Sequence, residues 1–396
     1  MFTIPEYVNW NLFGPFLTLV IVNLVFGIFC ICFKFEKKIL FKIIGNVLVF
    51  AIIGFFLYLA YTNDKCQDYD HYMNIYNKNY SEWYTKDKGF LFLADIMYSM
   101  GFSYSLFRFV IYAISYTCIF IALTAYKTNK NFVFALYAIY PWSFHAFQMR
   151  NCLGFAIVMI ATIFLLFKEK WKILGFAMFT FFVGLATSIH ASMLLYAIFF
   201  VIFLSIKKKN YFIAPLLLVS LVFIAFYFNN QNIIVELIPE SIQDKFFNGQ
   251  YTANVPNYRE YISLFIAMVF MLMSGFFAYI GYFGIFSKKV SLFDNKKIFD
   301  NSEENTIKCL FFMTVCMFCL IITITFNTDF FRLQRNFVLF LLIMISLSMR
   351  KSKLKILNPC ILLSIVCLFY AEKTLLEFSN SWDTGGITMF FWVFFI

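Results

Sequence analysis

Charge is scarce in this chain. Only 13% of its 396 residues are Asp, Glu, Lys or Arg, against roughly 25% in an ordinary soluble domain. That argues against a water-soluble globular enzyme. Histidine is rarer still, with 3 residues, and proline has 7. There is no Walker loop, no GxGxxG, no short internal repeat and no low-complexity tract. The Gly-rich phosphate cradles of nucleotide enzymes are therefore missing. The 10 cysteines include one CxxC, Cys316 and Cys319, with no second pair. Most cysteines lie inside apolar runs, where a free thiol behaves as a small hydrophobe. Neither zinc nor redox chemistry is expected.

What the chain has is apolar length. Hydrophobic residues make up 62%, and mean hydropathy is +0.79. Runs long enough to cross a hydrocarbon core about 30 Å thick lie near 11–33, 43–61, 102–126, 132–148, 151–167, 172–187, 190–206, 211–228, 260–286, 307–326, 336–349 and 356–371. The expected fold is all-α: one polytopic helical bundle over residues 1–396, with about twelve transmembrane helices (roughly 11–14). The first run lacks preceding basic residues and a small-residue cleavage site, so it reads as a retained span.

Lysine sets the orientation. Alternate connections at 34–42, 127–130, 168–172, 206–210, 287–301 and 350–355 are lysine-rich and are expected in the cytoplasm. The larger cytoplasmic loop covers 287–306, and the long outer loops cover 62–101 and 229–259. The net charge of +11 is then mostly topological, and no basic face suited to nucleic acid remains. Segment 90–101 is apolar but broken by Asp95, which predicts an interfacial or re-entrant helix.

Arginine departs from this pattern. Arg108, Arg150, Arg259, Arg332 and Arg335 fall at outer span ends, and only Arg350 falls inside. An arginine there is costly and has no topological role. Arg108 reads as paired with Asp95 or Asp87, and Arg259 as a local pair. Arg150 lies between two short spans, with His145, Gln148 and Asn151 near it. Arg332 and Arg335 are three apart and share a helix face. Planar guanidinium forks match phosphate oxygens. All three histidines, His71, His145 and His190, also point outward. His190 has Ser188 and Ser192 two positions to either side, and a neutral imidazole there can accept a proton. The outer loop 62–101 is rich in Tyr and carboxylates, which suits sugars and equally suits an interfacial aromatic belt.

Together these pieces resemble the EpsG/Wzy-type polysaccharide polymerases of bacterial capsule, exopolysaccharide and O-antigen loci. The resemblance rests on several residues. Asp68 is followed four residues on by Tyr72. Asp87-Lys88-Gly89-Phe90 stands where the family has a Glu-Pro-Gly-Phe-like element. Arg150-Asn151 opens a span in place of Arg-Gln, His190-Ala191-Ser192 forms a His-x-Ser element, and Arg332 or Arg335 precedes a late span. The resemblance implies a GT-C-like membrane glycosyltransferase in the bacterial cytoplasmic membrane, with its site facing outward. It implies a substrate of oligosaccharide repeat units on undecaprenyl pyrophosphate, and inverting transfer without metal or cofactor. Arg150, Arg332 and Arg335 would hold pyrophosphate, and His190 would be the base. Asp68, Tyr72, Asp87, His145, Asn151 and Ser192 would contact substrate. Membrane lipids, a chain-length regulator and a flippase of the same pathway would be partners. Arg150, His190 and one late arginine are expected to converge on one cavity. The rival reading is a flippase or other polytopic transporter, although polar residues cluster at one level and do not line a path.

Overall fold

The structure, a computed structural model, describes residues 9–62, 69–78, 87–165, 172–207, 258–283, 302–319, 331–352 and 355–380. Every regular element among them is helical. The chain clusters into two compact units. The first comprises residues 1–163, 181–193 and 379–396, and the second 164–180 and 194–378.

The first unit begins with α1 (Trp10–Cys32) and α2 (Ile39–Thr62). Two shorter helices follow, α3 (Tyr69–Tyr76) and α4 (Lys88–Ser99), then α5 (Tyr104–Ala125). Polar side chains start the helices by accepting their unpaired amides. Asn9 accepts from Asn11, Ser103 from Leu106 and Asn129 from Phe132. A helix does lie near the expected 90–101: in α4, Phe90 and Ala94 are buried, while Phe92, Ile96 and Tyr98 are exposed.

Two expected spans are corrected. The stretch 132–148 is α6 (Lys130–Ile139) followed by α7 (Trp142–Phe147). Pro141 separates them because it has no N–H for the preceding helix. After α8 (Met149–Phe164) and α9 (Lys172–Ile189), the stretch 190–206 starts as a 3₁₀ helix, Ala191–Ala197. Only then does α10 (Ile198–Lys207) follow. Among the described residues, four helices have the length and apolarity to cross a membrane: α1, α2, α5 and Phe265–Phe283. Shorter apolar helices fill much of the remainder. The expected span 211–228 lies outside the described residues, as do nearly all of loop 229–259 and most of loop 287–306.

Lipid is as apolar as a leucine core, so helix association depends on close packing and interhelical hydrogen bonds. The first unit has both. α6 packs on α1 and α2, and α2 packs on α5. Asn131 donates to Asn23 Oδ1 at 2.9 Å and to the Gly45 carbonyl at 2.8 Å. Asn23 in turn donates to the Leu48 carbonyl at 3.1 Å. Further along, Trp142 is fully buried between the rings of Phe16, at 5.3 Å, and Phe56, at 4.3 Å. Its Nε1–H donates to the Tyr116 hydroxyl at 3.0 Å.

In the second unit, helix Tyr258–Phe283 packs against Ser302–Cys319 and Phe331–Lys351. Small hydroxyls join its helices. Ser364, on Pro359–Asn380, donates to the Ser274 carbonyl at 2.7 Å, and Ser348 donates to the Ala278 carbonyl at 2.6 Å.

The asparagine contacts predict that Asn131→Leu removes two interhelical bonds and strands the Asn23 carbonyl. Each such bond contributes about 0.6–1.7 kcal/mol in a membrane bundle. Thermal unfolding in detergent should show a loss of about 1–3 kcal/mol. An unchanged midpoint would mean these bonds do not hold α6.

Candidate active site

The site is built around Asp87, which occupies the N-cap position of α4. Its side chain makes no capping bond to its own helix, so both carboxylate oxygens serve distant segments. Oδ2 forms an ion pair with Arg150 Nη1, at the start of α8. Oδ1 accepts the backbone N–H of Ala191 at 3.3 Å. Ala191 follows His190 and opens the 3₁₀ helix. One carboxylate therefore holds an arginine 63 residues away and the turn that carries the histidine.

Tyr72 completes the arginine's surroundings. The guanidinium lies over its ring, 5.4 Å from the centroid, and Nε makes a weak 3.5 Å contact with its hydroxyl. Ring stacking and a charge-assisted hydrogen bond at one end together restrain the plane of a guanidinium. The Asp87 side chain is 6% exposed and that of Arg150 20% exposed. The arginine is thus the member of the pair that reaches solvent.

His190 ends α9, with its own N–H bonded to the Ala186 carbonyl at 2.9 Å. Its Nδ1 lies 3.2 Å from Ser192 Oγ. When Nδ1 carries the proton and donates to Ser192, Nε2 is left as the basic nitrogen. The residue is buried, which shields the ring from water.

Two glycines let these segments meet. A Cβ on Gly89 would stand 2.3 Å from Ser188 Oγ and 3.0 Å from the Ser188 backbone carbon. The first turn of α4 therefore rests directly on the last turn of α9. A Cβ on Gly154 would stand 2.8 Å from Met193 Cγ, so α8 lies equally close to the 3₁₀ turn. Phe90 fills the space below, 5.9 Å from the Tyr72 ring and 5.7 Å from that of Phe107. Each member of Asp87-Lys88-Gly89-Phe90 except Lys88 thus has a physical task.

The other candidates are dispersed. Asn151 is buried beside Arg150 on α8. His145 is fully buried, with Nδ1 2.6 Å from the Tyr137 hydroxyl and its ring against Phe155. Its place is the packing between α6, α7 and α8. Arg108 is buried under the rings of Tyr69 and Tyr104, at 5.0 and 5.8 Å. The carboxylates expected for it go elsewhere: Asp87 to Arg150 and Asp95 to Lys78 at 3.4 Å. Arg335 belongs to the second unit and is fully buried. It acts electrostatically on Tyr196, whose hydroxyl bonds the Asn336 side chain. Asp68 and the Arg332 side chain lie outside the described residues. No three His, Cys, Asp or Glu side chains gather as a metal site among the described residues.

Gly154, Tyr196 and Asn336 are not among the residues singled out from sequence, and Gly89 entered only as part of the Asp87-Lys88-Gly89-Phe90 element. A signal for Asn336 existed: Arg335-Asn336 repeats the Arg150-Asn151 dipeptide near the start of another helix. Gly154 carried no such mark, because its partner Met193 is distant in the chain.

Gly89→Ala should force α4 away from α9 and cost about 1–3 kcal/mol through overpacking. Gly184→Ala, with nothing within 4 Å of the added carbon, should be neutral or slightly stabilising. Detergent melting curves of the two variants check the contrast. Equal midpoints would refute the close approach.

A family model described as the EpsG family matches residues 47–382. No curated protein matches the chain, and no solved structure does. The match covers most of the chain, and the helices that meet at Asp87 all lie within it. The chain belongs to the EpsG family, the Wzy-type polysaccharide polymerase family.

Proposed function

We propose that this polysaccharide polymerase joins oligosaccharide repeat units carried on undecaprenyl pyrophosphate, at the outer face of the cytoplasmic membrane. The observation that carries the reading is the single carboxylate that holds Arg150 beside the His190 turn. The lysine-rich connections, taken as cytoplasmic, put the meeting ends of α4, α8 and α9 on the outer side. Lipid-linked sugars would reach the site there from the outer leaflet.

In this reading the guanidinium of Arg150 faces the pyrophosphate of the donor. Negative charge grows on the phosphate oxygen as its bond to the anomeric carbon breaks. A fixed cation in a weakly polar setting stabilises that charge without reorganisation. The acceptor is a sugar hydroxyl of a second lipid-linked unit. Its oxygen forms the new bond to the anomeric carbon from the opposite side, which inverts the configuration. Its proton passes to His190 Nε2. The departing electron pair stays on undecaprenyl pyrophosphate. Ser192 holds the imidazole in the tautomer this step needs. The site requires no metal for this chemistry, because the arginine supplies the positive charge. Arg332 and Arg335 are further candidate phosphate ligands, and Asp68 with the outer-loop tyrosines are candidate sugar contacts. His145 is left out of the substrate site, because its ring is fully buried against Tyr137.

In the producing cell, Arg150→Ala and His190→Ala should leave single repeat units on lipid at the outer surface, with no polymer ladder. With purified components, His190→Ala should slow transfer by about 10²–10⁴-fold. Arg150→Lys should not restore the rate, because an ammonium cannot reproduce the planar fork. Long polymer at normal protein levels would overturn the catalytic assignment. Units trapped on the inner leaflet would point to a flippase.

A further inference from the structure

Asp87 faces Arg150 where a donor's phosphate would have to bind. We infer that Asp87 is an internal competitor for the diphosphate, a positioning residue that holds Arg150 until the donor displaces it. The inference rests on the reading above and assigns Asp87 a role other than sugar contact.

Three observations carry it. First, the carboxylate is buried and its two oxygens are divided between Arg150 and the Ala191 N–H. A group so engaged and so little exposed is poorly placed to bind a sugar hydroxyl. Second, Arg150 is the more exposed partner, stacked over Tyr72. A guanidinium presents five N–H donors in one plane, so an anion arriving from outside meets the pair at its arginine. That anion meets a neutralised cation and must weaken the Asp87 contact to gain the full charge. Third, the Ala191 contact joins the two ends of the reaction. The carboxylate that restrains the leaving-group arginine also anchors the turn bearing His190 and Ser192. When diphosphate takes Arg150, Asp87 keeps Ala191 and the histidine stays in place. After transfer, the carboxylate reclaims the guanidinium and favours release of the diphosphate carrier.

Asp87→Asn separates these tasks. The amide keeps an oxygen for the Ala191 N–H and loses the charge that competes for Arg150. Diphosphate binding to the purified full-length protein should tighten about tenfold, the scale of one charge-assisted hydrogen bond. KM for the lipid-linked donor should fall, and kcat should fall with it as release slows. The gain should vanish in Asp87→Asn combined with Arg150→Ala. Asp87→Glu, which keeps the charge, should show no gain. Asp87→Ser serves the same measurement where the Asn variant does not purify.

The probes are inorganic pyrophosphate and undecaprenyl pyrophosphate in phosphatidylcholine vesicles. Tightening with both supports the competitor role for the diphosphate group itself. Tightening with the lipid form alone supports it for the lipid-linked donor, and tightening with the free anion alone supports it for a soluble diphosphate. Unchanged or weaker binding of both probes overturns it, as does a gain that survives the loss of Arg150. Normal polymerisation by Arg150→Ala would instead bring down the underlying reading of the site.

Discussion

A buried carboxylate must be paired and hydrogen-bonded, or the surrounding structure bears the full penalty of its desolvation. Asp87 meets that requirement with partners from two distant segments, and much of the first unit follows from it. Arg150 has to stand at the first turn of α8. Ala191 has to turn its N–H toward α4, which ends α9 and forces the tighter 3₁₀ geometry that follows. Gly89 has to lack a side chain so that α4 can come close enough. Losing one of these leaves the carboxylate to its remaining partner in a weakly polar setting.

The same unit uses a different device at the other end of its helices. Lysine-rich connections bound that end, and Asn23, Asn129 and Asn131 bind backbone carbonyls across α1, α2 and α6. These amide-to-carbonyl contacts act as interhelical hydrogen bonds, and Asn129 also donates to the Glu36 carboxylate at 2.9 Å. Trp142 lies between the two levels with both ring faces covered.

The helical class was legible in the sequence, because long apolar runs leave few alternatives, and four of the expected spans coincide with helices long and apolar enough to cross a membrane among the described residues. A helix at 88–99 was legible as well, as an apolar stretch bounded by Gly101. Local breaks were harder. Residues 132–148 are apolar throughout, and only Pro141 marks the interruption. The outcome at 190–206 depended on a bond from Asp87 that no local pattern contains. The site was half legible. Arg150, His190 and Ser192 stood out as polar residues at apolar ends. Their partner did not, because Arg150 read as a cation awaiting an anion while its carboxylate lay in another loop. From sequence, His190 was expected to be the base and His145 a substrate contact. Tyr137 makes His145 a packing residue, whereas His190 has Ser192 Oγ 3.2 Å from its Nδ1.

Arginine and tyrosine meet repeatedly in the first unit. Arg108 rests under Tyr69 and Tyr104, and Arg150 rests over Tyr72. An aromatic face stabilises a guanidinium most where water is excluded, and Arg108 is buried. These rings therefore let the chain keep arginine where lysine would remain hydrated and mobile. Tyr72 commits one face to this task, so aromatic composition alone overstates the surface left for stacking on sugars. Of the two cations so held, Arg150 also meets Asp87, whose other oxygen holds the turn after His190.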